Sequence, residues 1–399
     1  MRVLLAHNFY RSGTPGGEDN AYRQERALLE DNGVGVVTFE RSNDDVSRTN
    51  PIEMLRTAVT MSWSRQVYRE LSSLLREARP DIAHFHNTFP LISPSAYAAC
   101  HDAGVPVVQT LHNYRFVCAA ATLYRDGFTC EKCLGRSPWP GVLHRCYRGS
   151  SAGSTAVAWM LDSNRDRGTY LRLVDRYIAL TNFAAGKFVE GGLPAERIVV
   201  KPNFVVTDRQ PGQGGGGYVV YAGRLSIEKG VMTLLEGWRQ LPDVKLVIVG
   251  EGPLRGEMER FVAQHGLPVE FLGLQPRERV IDIIASADLE VVTSEWYEGF
   301  PLVIVEAYAV GTPVVCSRIG SLVEIVPDGE TGFMYEQGNA SALARTVRSA
   351  LGDPARLKEM RDRARRRYVT HFTPERNFSM LTDIYQGVLD QQQQARPAS

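Results

Sequence analysis

The chain has 399 residues, 44% hydrophobic and 23% charged, the composition of an ordinary globular protein with room for two domains of about 200 residues each. Its 45 basic and 45 acidic residues cancel, which excludes a whole-molecule field that would draw it to nucleic acid or to anionic lipid. No apolar run approaches the roughly 18 residues of a membrane span, and six cysteines in so long a chain make no disulfide scaffold. The N-terminus MRVLLAHNFYRSG turns polar too soon for a signal peptide, so a cytoplasmic location is expected.

In chain order, short β-branched runs alternate with helical patterns, the signature of parallel sheets with crossover helices. The first series is RVLLAHN (2–8), VGVVTFE (34–40), DIAHFHN (81–87), VPVVQTLHN (105–113) and RYIALTN (176–182). Between its first two members lies the glycine-rich HNFYRSGTPGGEDNAY, with a helix expected to start near Glu18. The segment 51–80 mixes Arg56, Arg65, Arg69, Arg76 and Arg79 with Met54, Leu55, Trp63, Tyr68, Leu71 and Leu75. It reads as a crossover helix with a solvated basic face; the other reading is an amphipathic surface for peripheral contact with the inner face of a membrane. Residues 113–150 form an insertion with Cys118, Cys130, Cys133 and Cys146, whose spacing would let four thiolates close around a structural zinc ion, with His144 able to replace one ligand. The alternative is four unligated thiols.

Residues 207–217, TDRQPGQGGGG, lack apolar side chains and read as a flexible linker between an N-terminal domain (1–206) and a C-terminal domain (218–375). The second series is YVVYAGRL (218–225), VKLVIVGEG (244–252), VEFLGL (269–274), LEVVTS (289–294) and TPVVCS (312–317). Two Rossmann-like α/β domains facing each other across a central cleft follow, and ligands of open parallel sheets bind beyond the strands' carboxyl ends. A capped helix (376–391) is expected to pack back on the first domain, with a disordered tail at 392–399.

The chemistry concentrates in the second series. SEWYEGFPLVIVEAYAVG places Glu298 before a Gly299-Phe300-Pro301 turn and Glu306 one turn into a helix that begins at this turn and is capped at Gly311. Free amides at such a helix start suit a diphosphate. Carboxylates on its two flanks suit sugar and ribose hydroxyls. YAGRLSIEKG puts Arg224, able to bind phosphate through two donors, and Lys229 at a strand end. VGEGP repeats a glycine, acid, glycine design around Glu251, and glycines there and at Gly223 permit close approach of backbone to ligand. Taken singly, each is also ordinary: exposed glutamates are common, and Lys229 has Glu228 beside it for a surface ion pair.

Together, GRLSIEKG, VGEGP and YEGFPLVIVEA resemble the retaining glycosyltransferases of family 4, which have the GT-B fold. The resemblance implies that Glu306 holds the ribose, Glu298 the donor sugar, and Arg224 with Lys229 the leaving diphosphate. It implies a phosphate cradle from the amides of Phe300, Leu302 and Val303, and a closing loop containing Gly16 and Gly17. It also implies a histidine near the donor sugar, matched by His112 at the end of its strand. His84 and His86 in HFHN are read as lying on opposite sides of their strand, with His86 lining the cleft. The donor implied is a nucleotide-diphosphate sugar, UDP-linked first and GDP-linked next. The acceptor is a hydroxyl of a glycan, a lipid-linked oligosaccharide or a natural product. The resemblance also implies retention by front-face attack; no carboxylate pair about 5 Å apart, as a retaining glycosidase needs, is found in the first domain. No Asp-x-Asp motif marks a catalytic metal. The rival readings are an epimerase-type nucleotide-sugar enzyme and a catalytically silent partner subunit; with no Gly-x-Gly-x-x-Gly after a strand, a dehydrogenase is set aside.

Overall fold

The computed structural model describes residues 1–12, 16–47 and 49–395. They form two compact units. The first holds Met1–Leu123, Glu131–Pro202 and the stretch from Asn377 onward; the second holds Tyr124–Cys130 and Asn203–Arg376.

The first unit is built on β1 (Arg2–Phe9), β2 (Gly35–Ser42), β3 (Ile82–Phe85) and β4 (Val107–Leu111). A small hairpin, β5 (Tyr124–Arg125) and β6 (Phe128–Thr129), interrupts it and belongs to the second unit; β7 (Arg176–Ala179) and β8 (Ile198–Val200) complete the first. The order is β2-β1-β3-β4-β7-β8, every pairing parallel. Val3, Leu4, Leu5 and Ala6 have no exposure, because helices cover both faces of a parallel sheet and leave its strands nothing to alternate with. Helix Pro374–Ala395 supplies Leu381, Tyr385 and Val388 to one face, against Val3, Leu5, Ile82, Val108 and Ile178. Asn377 fastens its start by donating to the Pro202 carbonyl at 2.7 Å.

The second unit repeats the plan with β9 (Tyr218–Ala222), β10 (Lys245–Val249), β11 (Val269–Gly273), β12 (Leu289–Val292), β13 (Val314–Ser317) and β14 (Gly332–Tyr335). The order is β11-β10-β9-β12-β13-β14, again all parallel. Helices Leu302–Ala309 and Pro354–His371 cover one face through Ile304, Tyr308, Ala364 and Tyr368; Val231–Trp238 and Ala340–Leu351 cover the other through Leu234, Trp238, Leu343 and Val347.

Several expectations change. Segment 51–80 is two helices, Pro51–Thr60 and Arg65–Ala78; the second buries Val67, Leu71 and Leu75, and the first buries none of its residues. The glycine-rich stretch 207–217 is tied to its own unit: Gly212 N–H donates to Val310 O at 2.8 Å and Gly216 N–H to Ser286 O at 3.0 Å. The helix expected from the Gly299-Phe300-Pro301 turn to a Gly311 cap is shorter, Leu302–Ala309, with Pro301 just outside it. The C-terminal helix continues through Ala395, so only residues 396–399 of the expected tail lie outside the described residues, as do 13–15 of the glycine-rich loop. Among the described residues no helix is long and apolar enough to cross a membrane.

Candidate functional site

In an open parallel sheet the binding crevice opens where strand order reverses, beyond the carboxyl ends of the two strands on either side. In the second unit that point lies between β9 and β12, and in the first between β1 and β3. The polar residues of both units gather at these ends.

In the second unit, β9 runs into Gly223 and Arg224, and β12 into Thr293 and Ser294. Lys229 Nζ reaches across to Glu298 Oε1 at 2.6 Å, so its partner is Glu298 and not Glu228. Ser294 Oγ donates to the same carboxylate oxygen at 2.5 Å, and Ser321 Oγ holds the Glu298 carbonyl at 2.6 Å. Glu298 is thus fixed from three sides at 5% exposure. The lysine is fixed as well: Thr293 Oγ1 donates to its carbonyl at 2.7 Å. Gly230 then turns with φ +63°, where a Cβ would lie 2.0 Å from Thr293 O. Arg224 is exposed, and its guanidinium has no side-chain partner among the described residues. Fixed cation, fixed carboxylate and unpartnered arginine therefore border one strand end. Two cationic side chains so placed suit an anionic ligand.

Gly299 and Phe300 form the turn into helix Leu302–Ala309, whose first amides, those of Leu302 and Val303, have no intrahelical acceptor. Glu306 has a partner that its spacing did not reveal: Arg277 Nε donates to its Oε1 at 2.9 Å. Behind it, in the middle of β12, Glu290 is fully buried with neither carboxylate oxygen hydrogen-bonded. Burial, with Glu306 adding, pushes its carboxyl well above the ordinary range. Glu251 is paired with Arg255 on the following helix. Its flanking glycines have a close neighbour within the protein. A Cβ on Gly250 would lie 2.0 Å from Gly223 O and one on Gly252 2.3 Å from Leu225 O, so they let two loops of the protein zip together (Gly223 N–H to Val249 O, 2.9 Å; Leu225 N–H to Glu251 O, 3.0 Å).

In the first unit the strand ends carry a buried polar network. His7 Nε2 meets Asp19 Oδ1 at 2.8 Å and the ring stacks on Tyr22 with centroids 4.5 Å apart. Gly16 caps helix Gly17–Asp31 where a Cβ would sit 2.7 Å from the Tyr10 ring, whereas Gly17 has open space. Glu18 accepts from Asn113 Nδ2 at 2.5 Å; burial nevertheless pushes its carboxyl up to about 7. Below them Lys201 Nζ donates to Glu25 Oε2 and to Asn377 Oδ1, both at 2.9 Å. Glu25 Oε1 lies 3.1 Å from His84 Nδ1 and 3.1 Å from His86 Nε2. Burial opposes its charge, but Lys201, His84 and His86 outweigh that and hold the carboxyl well below its usual range.

His84 and His86 therefore share one face, with rings 4.5 Å apart, and the expectation of opposite sides is corrected: residues two apart on a strand point the same way. His84 Nε2 bonds Thr110 Oγ1 at 2.7 Å, and His86 Nδ1 bonds His112 Nε2 at 2.9 Å. Glu25, His84 and His86 also bring ligand-type atoms within 4.8 Å of one another, but the cation beside that carboxylate is Lys201. Among the described residues the side-chain group able to gather around a metal ion is Glu25, His84 and His86, and it does not include Cys118, Cys130, Cys133 or Cys146.

Arg277, Ser294, Glu290, Glu25 and Lys201 escape a reading by motif. Lys201 and Glu290 do leave a trace, a charged residue inside or directly after an apolar strand run, VVK and LEVV.

The family model described as Glycosyltransferase Family 4 matches residues 16–209, and that described as Glycosyl transferases group 1 matches residues 208–367. A glycogen synthase of Mycobacterium tuberculosis is 28% identical over 328 residues, 81% of this chain and 72% of its own length. The sucrose-phosphate synthase of Thermosynechococcus elongatus superposes with a TM-score of 0.71 at 20% identity, over 98% of this chain and 99% of its own. HepE of Anabaena, crystallised with UDP, gives 0.68 at 21%, over 97% and 100%. With two six-stranded parallel units, matching family models over each of them and these neighbours in the solved structures, the chain belongs to the family 4 glycosyltransferases and has the GT-B fold.

Proposed function

We propose that the protein is a retaining, metal-independent transferase that moves a hexose or N-acetylhexosamine from a UDP-sugar to a hydroxyl of a glycan, lipid-linked or natural-product acceptor. The observation that carries this reading is the Lys229–Glu298 pair, 2.6 Å apart, with the exposed Arg224, which has no side-chain partner among the described residues, in the same loop as Lys229. In it, Arg224 and Lys229 take the diphosphate, the amides of Phe300, Leu302 and Val303 complete its cradle, and Pro301 offers no N–H. Glu298 orients the donor sugar. Glu306 accepts from the ribose hydroxyls, exchanging or sharing its bond to Arg277. UDP is preferred over GDP because HepE, which shares the fold, was crystallised with UDP.

The acceptor hydroxyl attacks the anomeric carbon on the face from which the diphosphate leaves. The new C–O bond forms as the sugar–phosphate bond breaks, and the departing phosphate oxygen takes the hydroxyl proton. No side chain need act as nucleophile. Catalysis then consists of stabilising developing negative charge on the diphosphate and of holding the reactants together, with the two cations supplying the largest part.

The test is calorimetry with a panel of UDP-, GDP- and ADP-sugars, with and without EDTA. One UDP-sugar should bind in the micromolar range, unaffected by chelation, and Glu306→Ala should weaken it by roughly tenfold or more, the cost of a lost hydrogen bond to a charged group. Binding of no nucleotide-sugar would favour a silent partner subunit, and loss of binding on adding EDTA would overturn the metal-independent reading.

A further inference from the structure

The buried ion pair of the first unit is linked to His112 by one close charge contact and one hydrogen bond. Glu25 Oε1 faces His86 Nε2 at 3.1 Å, and His86 Nδ1 meets His112 Nε2 at 2.9 Å, the two rings stacked with centroids 5.1 Å apart. Each step has two possible directions, and the charges choose between them.

Glu25 is a carboxylate, fixed by Lys201 on its other oxygen at 2.9 Å. If His86 carried its proton on Nδ1, its Nε2 lone pair would face that anion at 3.1 Å in a buried site, which is repulsive. An imidazolium would satisfy both neighbours, but burial drives the ring down to about 4 despite Glu25, so it is neutral near pH 7. His86 therefore holds its single proton on Nε2, the nitrogen nearer Glu25, where the contact is one of charge and not a hydrogen bond. Its Nδ1 can then only accept, and the donor in the 2.9 Å bond is His112 Nε2–H. Burial, with His86 and His7 adding, keeps His112 neutral as well, which leaves its Nδ1 bare.

We propose that the Glu25–Lys201 ion pair is a positioning device for His112: acting through His86, it fixes the Nε2–H tautomer of His112, so that Nδ1 is presented as a hydrogen-bond acceptor for a substrate hydroxyl. The relay also polarises the second imidazole, making Nδ1 a better acceptor than that of an isolated histidine. His84 does not enter the relay: its Nδ1 meets Tyr385 Oη at 2.7 Å and its Nε2 is occupied by Thr110. That the hydroxyl belongs to a sugar rests on the transferase reading; the tautomers do not.

The experiment is a long-range proton–nitrogen correlation spectrum of the full chain labelled with nitrogen-15 histidine, assigned with His86→Asn and His112→Asn variants. It is recorded for the wild type and for a Glu25→Leu/Lys201→Met double variant that removes both charges at once. The wild type should show pyrrole-type Nε2 and pyridine-type Nδ1 at both His86 and His112. The double variant should show mixed tautomers at His112 and, with donor affinity changed less than threefold, a turnover lower by roughly tenfold, the effect of one lost hydrogen bond. A proton on His112 Nδ1 in the wild type overturns the proposal, and so does a double variant with unchanged tautomers. Should the double variant not fold, His86→Asn severs the relay and leaves the ion pair, and an unmixed His112 there overturns it equally. If the tautomers are as expected and no nucleotide-sugar binds, the relay stands and the transferase reading falls; the reverse pattern separates them the other way.

Discussion

Lys229 and Glu298 are the residues on which the proposed chemistry turns, and their environments predict different failures. Lys229 is one-quarter exposed, so Lys229→Met leaves Glu298 still held by Ser294 and should fold. Its turnover should fall by roughly 10²–10³-fold, the scale of losing one electrostatic stabiliser, with melting within a few degrees of wild type. An equally active variant would remove the lysine from the mechanism. Glu290 is the opposite case, a fully buried carboxyl with no hydrogen-bond partner among the described residues and no proposed role. Its pKa is higher folded than unfolded, so the folded state keeps the proton longer and stability is lost as pH rises above the unfolded carboxyl value of about 4.3. Glu290→Leu should therefore stabilise by about 1–3 kcal/mol, more at pH 8 than at pH 5, in urea titrations. A gain that is flat with pH, or a loss, contradicts this account of the residue.

At the scale of elements, glycine roles separate by what a Cβ would meet. Gly250, with φ +136° and Gly223 O only 2.0 Å from where an added methyl group would sit, joins the loops after β9 and β10. Gly250→Ala should cost more than about 2 kcal/mol in chemical denaturation and weaken donor binding, since the strand end bearing Arg224 must shift. Gly17, at the first position of its helix with nothing within 4 Å, should accept alanine with unchanged or slightly higher stability. If both substitutions cost the same, the loop-zipping explanation is wrong. Such distinctions were not legible in the sequence, where VGEGP and PGG look alike. The strands were legible because runs such as VLLA in β1 and LVIV in β10 are buried on both faces and read as continuous apolar stretches. Strands β8 and β14 escaped because IVV is too short, and GFMY opens on the glycine whose Cβ would strike Val314 O at 2.0 Å.

For the whole molecule, motif spacing exposed those candidate residues of the second unit that short local segments carry. Glu298 and Glu306 flank one turn and Arg224 and Lys229 share one loop, so their chemistry could be inferred from neighbours in sequence. Glu25 and Lys201 are separated by 176 positions, and only the parallel sheet and the returning C-terminal helix bring them to Asn377. The same long range hid Arg277 from Glu306, 29 positions away. The cysteine spacing, conversely, is a weak guide to a metal set, because loop spacing fixes no distances without strands to hold them.

The most direct measurement is titration of UDP alone into the wild-type protein and into an Arg224→Ala/Lys229→Ala variant. The account predicts micromolar binding by the first and a loss of at least about 100-fold in the second, two charge-assisted phosphate contacts being removed. Equal affinity in both proteins would contradict the placement of the diphosphate at the β9/β12 strand ends.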